Sequence, residues 1–479
     1  MGERKRRDTA TGRRGARTIL AVLVVAALAA CGGGETRLPL EPTPNVDSAR
    51  TAWLSGYAAR LETVDPQSAR DDLEALRTMV GEARVVLMGE PSHGDGTAFL
   101  AKRRLIRFLH EEMGFDVLVF EGGLYPVAKA WERVDEGASV EAAMANAIYP
   151  VWMGSAQVRP LFDYVDAQRR SGVPLEVAGM DSQLWGSGTD DDLVTDLEEI
   201  LDRGAAAVLQ HPRWSAFRAL LRDAVADVWW DAKPDAEDLA FFEDLYRQVQ
   251  AQVAEGLPSV SADETSFWTQ VLASAHVQIG IDVAVDPEVG YSTALKEARD
   301  RQMGQNLVWL ARTRYPDRKL IVWAANYHVF RNVDALELVG NPSFYSRSVT
   351  MGDAVSEALG AEALVLGFTA YRGDWGYWHT PPSPIAPPGP GALESYFSAT
   401  GADFAILDLR DLPAEGRWLA EPLVGRALHY VDVLGRWPQT MDAVFYIESM
   451  EPSTPVDAAS PVRAPGSPRP RAPRTPPGP

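Results

Sequence analysis

The chain has one cysteine, Cys31, in 479 residues, so no disulfide can form within it. It lacks the G-x-S-x-G turn of nucleophile-elbow serine hydrolases: Gly290-Tyr291-Ser292-Thr293-Ala294 comes near but follows Asp286-Pro287 rather than a strand. His110-Glu111-Glu112-Met113-Gly114 lacks the second histidine of a zincin helix, and no glycine loop of the phosphate-binding kind is present. Positive charge is scarce as well, with 46 Lys and Arg against 66 Asp and Glu and a net charge of −20. What there is crowds the ends: seven Arg and Lys before residue 31 against Glu3 and Asp8, and four Arg after residue 451 against Asp457. The body between them therefore carries about −28, which repels polyanions and excludes nucleic acid as a partner.

Apolar side chains are plentiful. At 46% hydrophobic, with 14 Trp, the sequence can bury one large core or two medium ones, and bulk disorder is excluded. The N-terminus reads as a targeting segment, with a basic region from Arg4 to Arg17 and an apolar run from Ile19 to Leu28 that is too short to span a bilayer. Leu28-Ala29-Ala30-Cys31 follows and resembles a bacterial lipoprotein signal. That resemblance implies removal of residues 1–30, lipidation of Cys31 and a lipid anchor in the cell envelope; Gly32 rather than Asp after the cysteine points to the outer membrane or periplasmic face in a cell that has an outer membrane. Residues 31–50 then read as a flexible tether and 451–479, rich in proline, as a disordered tail. The domain proper spans 51–450.

Within it, Val85-Val86-Leu87-Met88 is a short apolar run that enters a glycine-punctuated turn, Gly89-Glu90-Pro91-Ser92-His93-Gly94-Asp95-Gly96. Such a run reads as a buried parallel strand, and Gly, Pro and Ser mark the chain leaving the sheet. Residues 97–112 read as a helix whose apolar stripe includes Phe99, Leu105, Ile106, Phe108 and Leu109, with Lys102 on the same stripe. Further apolar runs close on Glu121, on Asp181 and, after Lys319–Ala325, on Asn326-Tyr327-His328; three more lie at Ala363–Thr369, Phe404–Leu409 and Ala443–Ile447. Helical sequence separates most of them, which predicts an α/β fold with a mostly parallel central sheet covered by helices. Trp53 to Ala83 reads as helical, and Tyr371–His379 with the prolines beyond it as a long loop at the rim of a pocket. Between about 190 and 298 no strand is visible, and Trp214, Phe217, Trp229, Trp230, Phe241, Phe242, Tyr246 and Trp268 mark a helical insertion, either a cap over a bulky apolar ligand or a satellite core.

Carboxylates and a histidine recurring at the same end of several strands cost several kcal/mol each if buried without a partner, so one pocket collecting them is the cheaper account. The candidate catalytic residues are His93, Glu90, Glu121, His328 and Lys102, with Ser92, Asp181 and Asn326 as candidate substrate contacts. A histidine flanked by carboxylates suits general-base activation of water. Lys102 or His328 would stabilise a developing oxyanion. Glu90, His93, Glu121 and His328 could instead ligate a divalent metal.

These stretches resemble the erythromycin esterase-like family. Gly89-Glu90-Pro91-Ser92-His93-Gly94 is similar to its G-E-[AS]-[ST]-H-G signature, Val119-Phe120-Glu121 to its strand ending in glutamate, and Gly179-Met180-Asp181 to its G-x-D turn. Arg299-Asp300-Arg301-Gln302-Met303-Gly304-Gln305-Asn306 resembles R-D-x-x-M-x-x-N, and Trp323-Ala324-Ala325-Asn326-Tyr327-His328-Val329 resembles W-A-H-N-x-H-V. The resemblance, over about residues 50–450, implies a hydrolase that opens macrolide lactones and needs no tightly held metal. His93 would be its base, Glu90 and Glu121 would orient the base or handle protons, and His328 would line the pocket. Ala325 stands where the family has histidine, and Lys102 where it has arginine. The expected function is a membrane-tethered ester or lactone hydrolase acting on a small molecule that could be bulky and apolar, with no required cofactor. The alternatives are a metal-dependent hydrolase and a lipoprotein that binds metal, haem or a small apolar ligand without turnover.

Overall fold

The computed structural model describes residues 47–456 apart from 185, 187–188, 227–228, 230–232 and 287–291. The signal segment with Cys31, Trp230, Gly290-Tyr291 and nearly all of the expected tether and tail lie outside the described residues. Twelve strands occur among those described: β1 (Ala59–Leu61), β2 (Val85–Met88), β3 (Val117–Gly123), β4 (Glu176–Asp181), β5 (Leu320–Trp323), β6 (Glu337–Leu338), β7 (Ala363–Trp375), β8 (Ser383–Ile385), β9 (Phe404–Asp408), β10 (Leu423–Gly425), β11 (Val433–Gly435) and β12 (Ala443–Met450). The main sheet runs β1-β9-β12-β7-β2-β5-β3-β4, with β8 added to β7, and a small sheet runs β10-β11-β6. From β12 to β4 every pairing is parallel, while β9 against β12, β1 against β9 and β8 against β7 are antiparallel.

Successive side chains of a strand point to opposite faces. Val85, Leu87, Val117, Val119, Leu320 and Val322 thus join one apolar core, and Val86, Met88, Leu118, Phe120, Ile321 and Trp323 join the other. Both faces are dry, so these strands show no alternation in the sequence. The helix Gly96–Met113 covers the second face with Phe99, Leu105, Ile106, Phe108 and Leu109. The first face is continuous with the helical insertion, whose main helices are Thr189–Gly204, Trp214–Val225, Ala236–Ala254 and Ala262–Ala284.

The insertion is helical as expected, and its aromatics have an internal use. Phe217, Trp229, Phe242, Tyr246 and Trp268 are buried, with Phe217 on Phe242 at 5.2 Å, Trp229 on Phe242 at 5.0 Å and Trp268 on Tyr125 at 5.9 Å between ring centroids. They form a satellite core joined to the sheet rather than the lining of an opening.

Other expectations need correction. Trp53–Ala83 is not helical throughout: the helix Ser48–Tyr57 is followed by edge strand β1 and then the helix Glu74–Val80. The tether ends early, because Asp47 caps that first helix by accepting from the Ala49 and Arg50 amides. Tyr371–Trp375, expected in a loop, extends β7 against β12 and β8. The expected tail begins later than residue 451: Pro452 bridges Asp95, Pro455 bridges Ser155, and the Ser453 hydroxyl donates to the Ser155 hydroxyl at 2.8 Å.

Asn326, expected to contact substrate, is instead a fully buried clip. Its Nδ2 donates to Phe368 O at 2.7 Å and Ala427 O at 2.6 Å, and its Oδ1 accepts from Phe368 N at 3.1 Å. Its backbone N–H donates to Glu90 O at 2.8 Å. Asn326→Ala orphans one buried amide and two carbonyls, and is expected to lower unfolding free energy by about 3 kcal/mol in urea titration. A loss below about 1 kcal/mol would show that the clip is not structural.

Candidate active site

β2, β5, β3 and β4 are consecutive in the sheet and parallel, so their carboxyl ends open on one edge. In open α/β sheets that edge forms the ligand crevice. Glu90 follows β2, His328 follows β5, Glu121 lies near the end of β3, and Asp181 ends β4. β3 bulges between Phe120 and Gly123 in its pairing with β4, which re-aims Glu121. The bulge needs glycine opposite it: a Cβ on Gly179 would lie 2.3 Å from Gly123 O.

Glu90 has no solvent exposure; Lys102 neutralises it, and Trp152 and His93 complete its hydrogen bonding. Lys102 Nζ donates to Oε2 at 2.5 Å, Trp152 Nε1 to Oε1 at 3.1 Å, and His93 Nδ1 to Oε1 at 2.8 Å. The His93 ring stands edge-on to Trp152, with centroids 4.9 Å apart. Its Nε2 has no hydrogen-bond partner among the described residues, lies 3.9 Å from Glu121 Oε1, and belongs to a side chain that keeps 19% of its exposure. The turn carrying them is held from both sides. Ser92 N donates to Asp95 Oδ2 at 2.7 Å, and Gly376 N and Ser453 N donate to Gly94 O. A Cβ on Gly94 would meet the Gly376 backbone at 2.6 Å, which fixes glycine there.

The other half of the cluster is tied by Arg299. Its Nε and Nη2 grip Asp181 at 3.0 and 2.5 Å, and Nη2 also reaches Glu121 Oε1 at 3.0 Å. Glu121 Oε2 accepts from Ala325 N at 3.0 Å. His328 stands between two carboxylates, Nδ1 at 2.7 Å from Asp300 and Nε2 at 3.3 Å from Glu121. Burial opposes a charge on His328, but Asp300 and Glu121 outweigh it and push its pKa up to about 10, so the ring is an imidazolium at neutral pH. Burial likewise opposes the Glu121 carboxylate, yet His328, His93 and Arg299 hold its pKa well below the usual range.

Glu90, His93, Glu121, Asp181 and His328 are therefore brought together. The remaining expected contacts are not available to a ligand. Lys102 is fully buried, locked between Glu90, Ala324 O at 3.2 Å and the Trp323 ring at 4.5 Å, so it neutralises Glu90 rather than meeting an oxyanion. Both oxygens of Asp181 face Arg299, and Ser92 is buried with its hydroxyl accepting from Gly94 N. A metal held by Glu90, His93, Glu121 and His328 does not fit this donor set, because Lys102, Trp152 and Arg299 already occupy the carboxylates. No group of three or more metal-ligating side chains with suitable geometry occurs among the described residues. Trp152, a single aromatic in the short helix Pro150–Met153, has no motif to mark it in the sequence. Arg299 and Asp300 stood out only as part of a motif; adjacent about two turns into the helix Thr293–Trp309, one faces the carboxylates and the other His328.

A mostly parallel sheet whose strand ends gather a Glu–His turn, further carboxylates and a second histidine into one crevice defines an α/β protein equipped for acid–base chemistry. The chain belongs to the erythromycin esterase family: the family model described as Erythromycin esterase matches residues 110–459. That span includes Glu121, Asp181, Arg299 and His328, while Glu90 and His93 precede it. YbfO of Bacillus subtilis (strain 168) is 27% identical over 429 residues, covering 84% of this chain and 91% of that protein. Erythromycin esterase type II of Escherichia coli is 22% identical over 399 residues, covering 76% and 89%. A solved structure of a mutant of the erythromycin esterase EreC in its open conformation superposes with a TM-score of 0.64 at 18% identity, covering 84% of this chain and 99% of that one, a likeness of fold.

The pKa shifts set a pH dependence. A raised histidine pKa stabilises the fold fully below the unfolded value near 6.5, and the contribution drains away as pH rises through about 10. Glu121, shifted the other way, contributes above its unfolded value and loses that as acid protonates it. Urea unfolding between pH 6.5 and 10.5 is expected to show a falling stability that flattens in His328→Gln; identical slopes in parent and variant would rule out His328 as its source.

Proposed function

We propose that this protein is a lipid-tethered hydrolase of carboxylic esters or lactones in which His93 activates water. The single observation that supports this most is the 2.8 Å contact between His93 Nδ1 and a buried Glu90 that is itself neutralised. A carboxylate on one ring nitrogen fixes the proton there, leaves the other as a base, and stabilises the imidazolium formed in the reaction. Family membership and the Escherichia coli relative named as an erythromycin esterase support the ester or lactone class.

Water placed at His93 Nε2 gives a proton to it as its oxygen bonds to the carbonyl carbon. The tetrahedral oxyanion is stabilised by the positive charge of His328 and Arg299, whose side chains keep 10% and 17% exposure beside the crevice. The carbon–oxygen bond to the leaving alkoxide then breaks, and the imidazolium of His93 returns the proton to that alkoxide. Glu121 pairs with the His328 imidazolium and lies beside His93, where it stabilises the charge that His93 gains on taking the proton. Cys31, lipidated and left as the first residue of the mature chain, would hold the enzyme at the membrane surface.

His93→Ala in the purified protein is expected to lower kcat/KM on activated phenyl esters by at least about 100-fold with the fold intact by circular dichroism. Equal rates in parent and variant would remove His93 from the mechanism. For the tether, Cys31→Ala is expected to move the protein from the membrane to the soluble fraction of a bacterial host; a distribution that does not change sinks the lipid anchor.

A further inference from the structure

Most cations of the crevice are matched. Lys102 faces Glu90, Arg299 faces Asp181 and Glu121, and His328 faces Asp300 and Glu121. Lys296 is different. It sits in the first turn of the helix Thr293–Trp309, three and four residues ahead of Arg299 and Asp300, and so shares the face that meets the site. It is half-buried and has no ion-pair or hydrogen-bond partner among the described residues. A lysine serving only as surface would keep its ammonium hydrated at the end of a long stem. Lys296 instead loses hydration, which lowers its pKa against the opposing pull of Asp300.

A second group is delivered to the same place by the β10–β11 hairpin. The Arg426–Asp432 ion pair at 2.9 Å closes its neck, and Asn326 Nδ2 holds Ala427 O at 2.6 Å. At the tip His429 and Tyr430 both take the left-handed conformation, with φ of 51° and 59°. Two consecutive non-glycine residues hold that backbone only where the surroundings over-determine it, a feature that concentrates at functional sites. Here Tyr430 is buried, with its hydroxyl facing Asp95, and His429 N donates to Pro91 O at 3.2 Å, inside the Glu90–His93 turn. The imidazole of His429 is left exposed. Lys296 and His429 thus bring two nitrogen groups to the crevice wall, and Asp300, the carboxylate that acts on Lys296, is itself engaged by His328. This stands against a chain whose net charge is −20.

We propose that Lys296 and His429 form an anion subsite beside the Glu90–His93 turn, so that the natural substrate is an ester bearing a carboxylate or phosphate group close to the scissile bond. The subsite rests on the hydrolase reading for its meaning but not for its detection. On the full-length chain, kcat/KM for mono(4-nitrophenyl) glutarate is expected to exceed that for the neutral 4-nitrophenyl valerate by at least about fivefold, the worth of one half-exposed charge pair. Lys296→Arg should keep the ratio, Lys296→Gln and His429→Phe should each reduce it, and Lys296→Glu should invert it. Equal turnover of both esters by the parent, or a ratio unmoved by Lys296→Glu, overturns the proposal. Calorimetric titration with glutarate and with inorganic phosphate separates the two anion classes without requiring turnover. If neither ester is cleaved, the hydrolase reading fails while anion binding that is lost in Lys296→Glu still upholds the subsite; no binding of either anion overturns it.

Discussion

The ammonium of Lys102 and the carboxylate of Glu90, both without solvent exposure and 2.5 Å apart, are the contact on which the rest of the site depends. Burying two charges is costly, and the attraction between them offsets that cost only when the remaining donors and acceptors are satisfied. They are: Ala324 O and the Trp323 ring take the other side of Lys102, while Trp152 and His93 share the second oxygen of Glu90. Removing either partner would leave an uncompensated charge in hydrocarbon. The pair thereby fixes Glu90, Glu90 fixes the orientation of His93, and a buried electrostatic contact becomes the geometry of an exposed base.

Arg299 does for the second half of the cluster what Lys102 does for the first. Its guanidinium is planar and forked, which suits simultaneous contact with Asp181 and Glu121. The two halves meet where His93 Nε2 and His328 Nε2 approach the same oxygen of Glu121. Carboxylates and cations thus alternate along the strand ends. That alternation allows several ionised groups to share one crevice, and it leaves Lys296 as the cation without a counterpart.

Legibility followed the physics of each element. The central strands could be read because both faces are buried and their sequences are unbroken apolar runs. Edge strand β1 could not, since three residues paired only to β9 carry too little pattern to stand out from the helices around them. The aromatics of the insertion were visible as a set, but whether they faced a ligand or one another depended on how four helices pack. Ser92, Asp181 and Asn326 were read as ligand contacts, whereas their hydrogen bonds run to the protein itself, a difference invisible in sequence because a polar residue near a site looks the same whichever partner it has. His429 gave no signal: it enters from a hairpin of a separate small sheet, through a left-handed tip that no glycine announces.

The amino-acid order alone determined that this chain builds an α/β sheet and that Glu90, His93, Glu121, Asp181 and His328 stand at the ends of its strands, because hydrophobic runs and glycine breaks are local properties. Only the tertiary structure decided which of those groups are free and which are consumed. Lys102 became an internal counter-ion, Asn326 a clip and Arg299 a clamp, since each role is set by neighbours tens to hundreds of residues away, brought within hydrogen-bonding distance when the four parallel strands align.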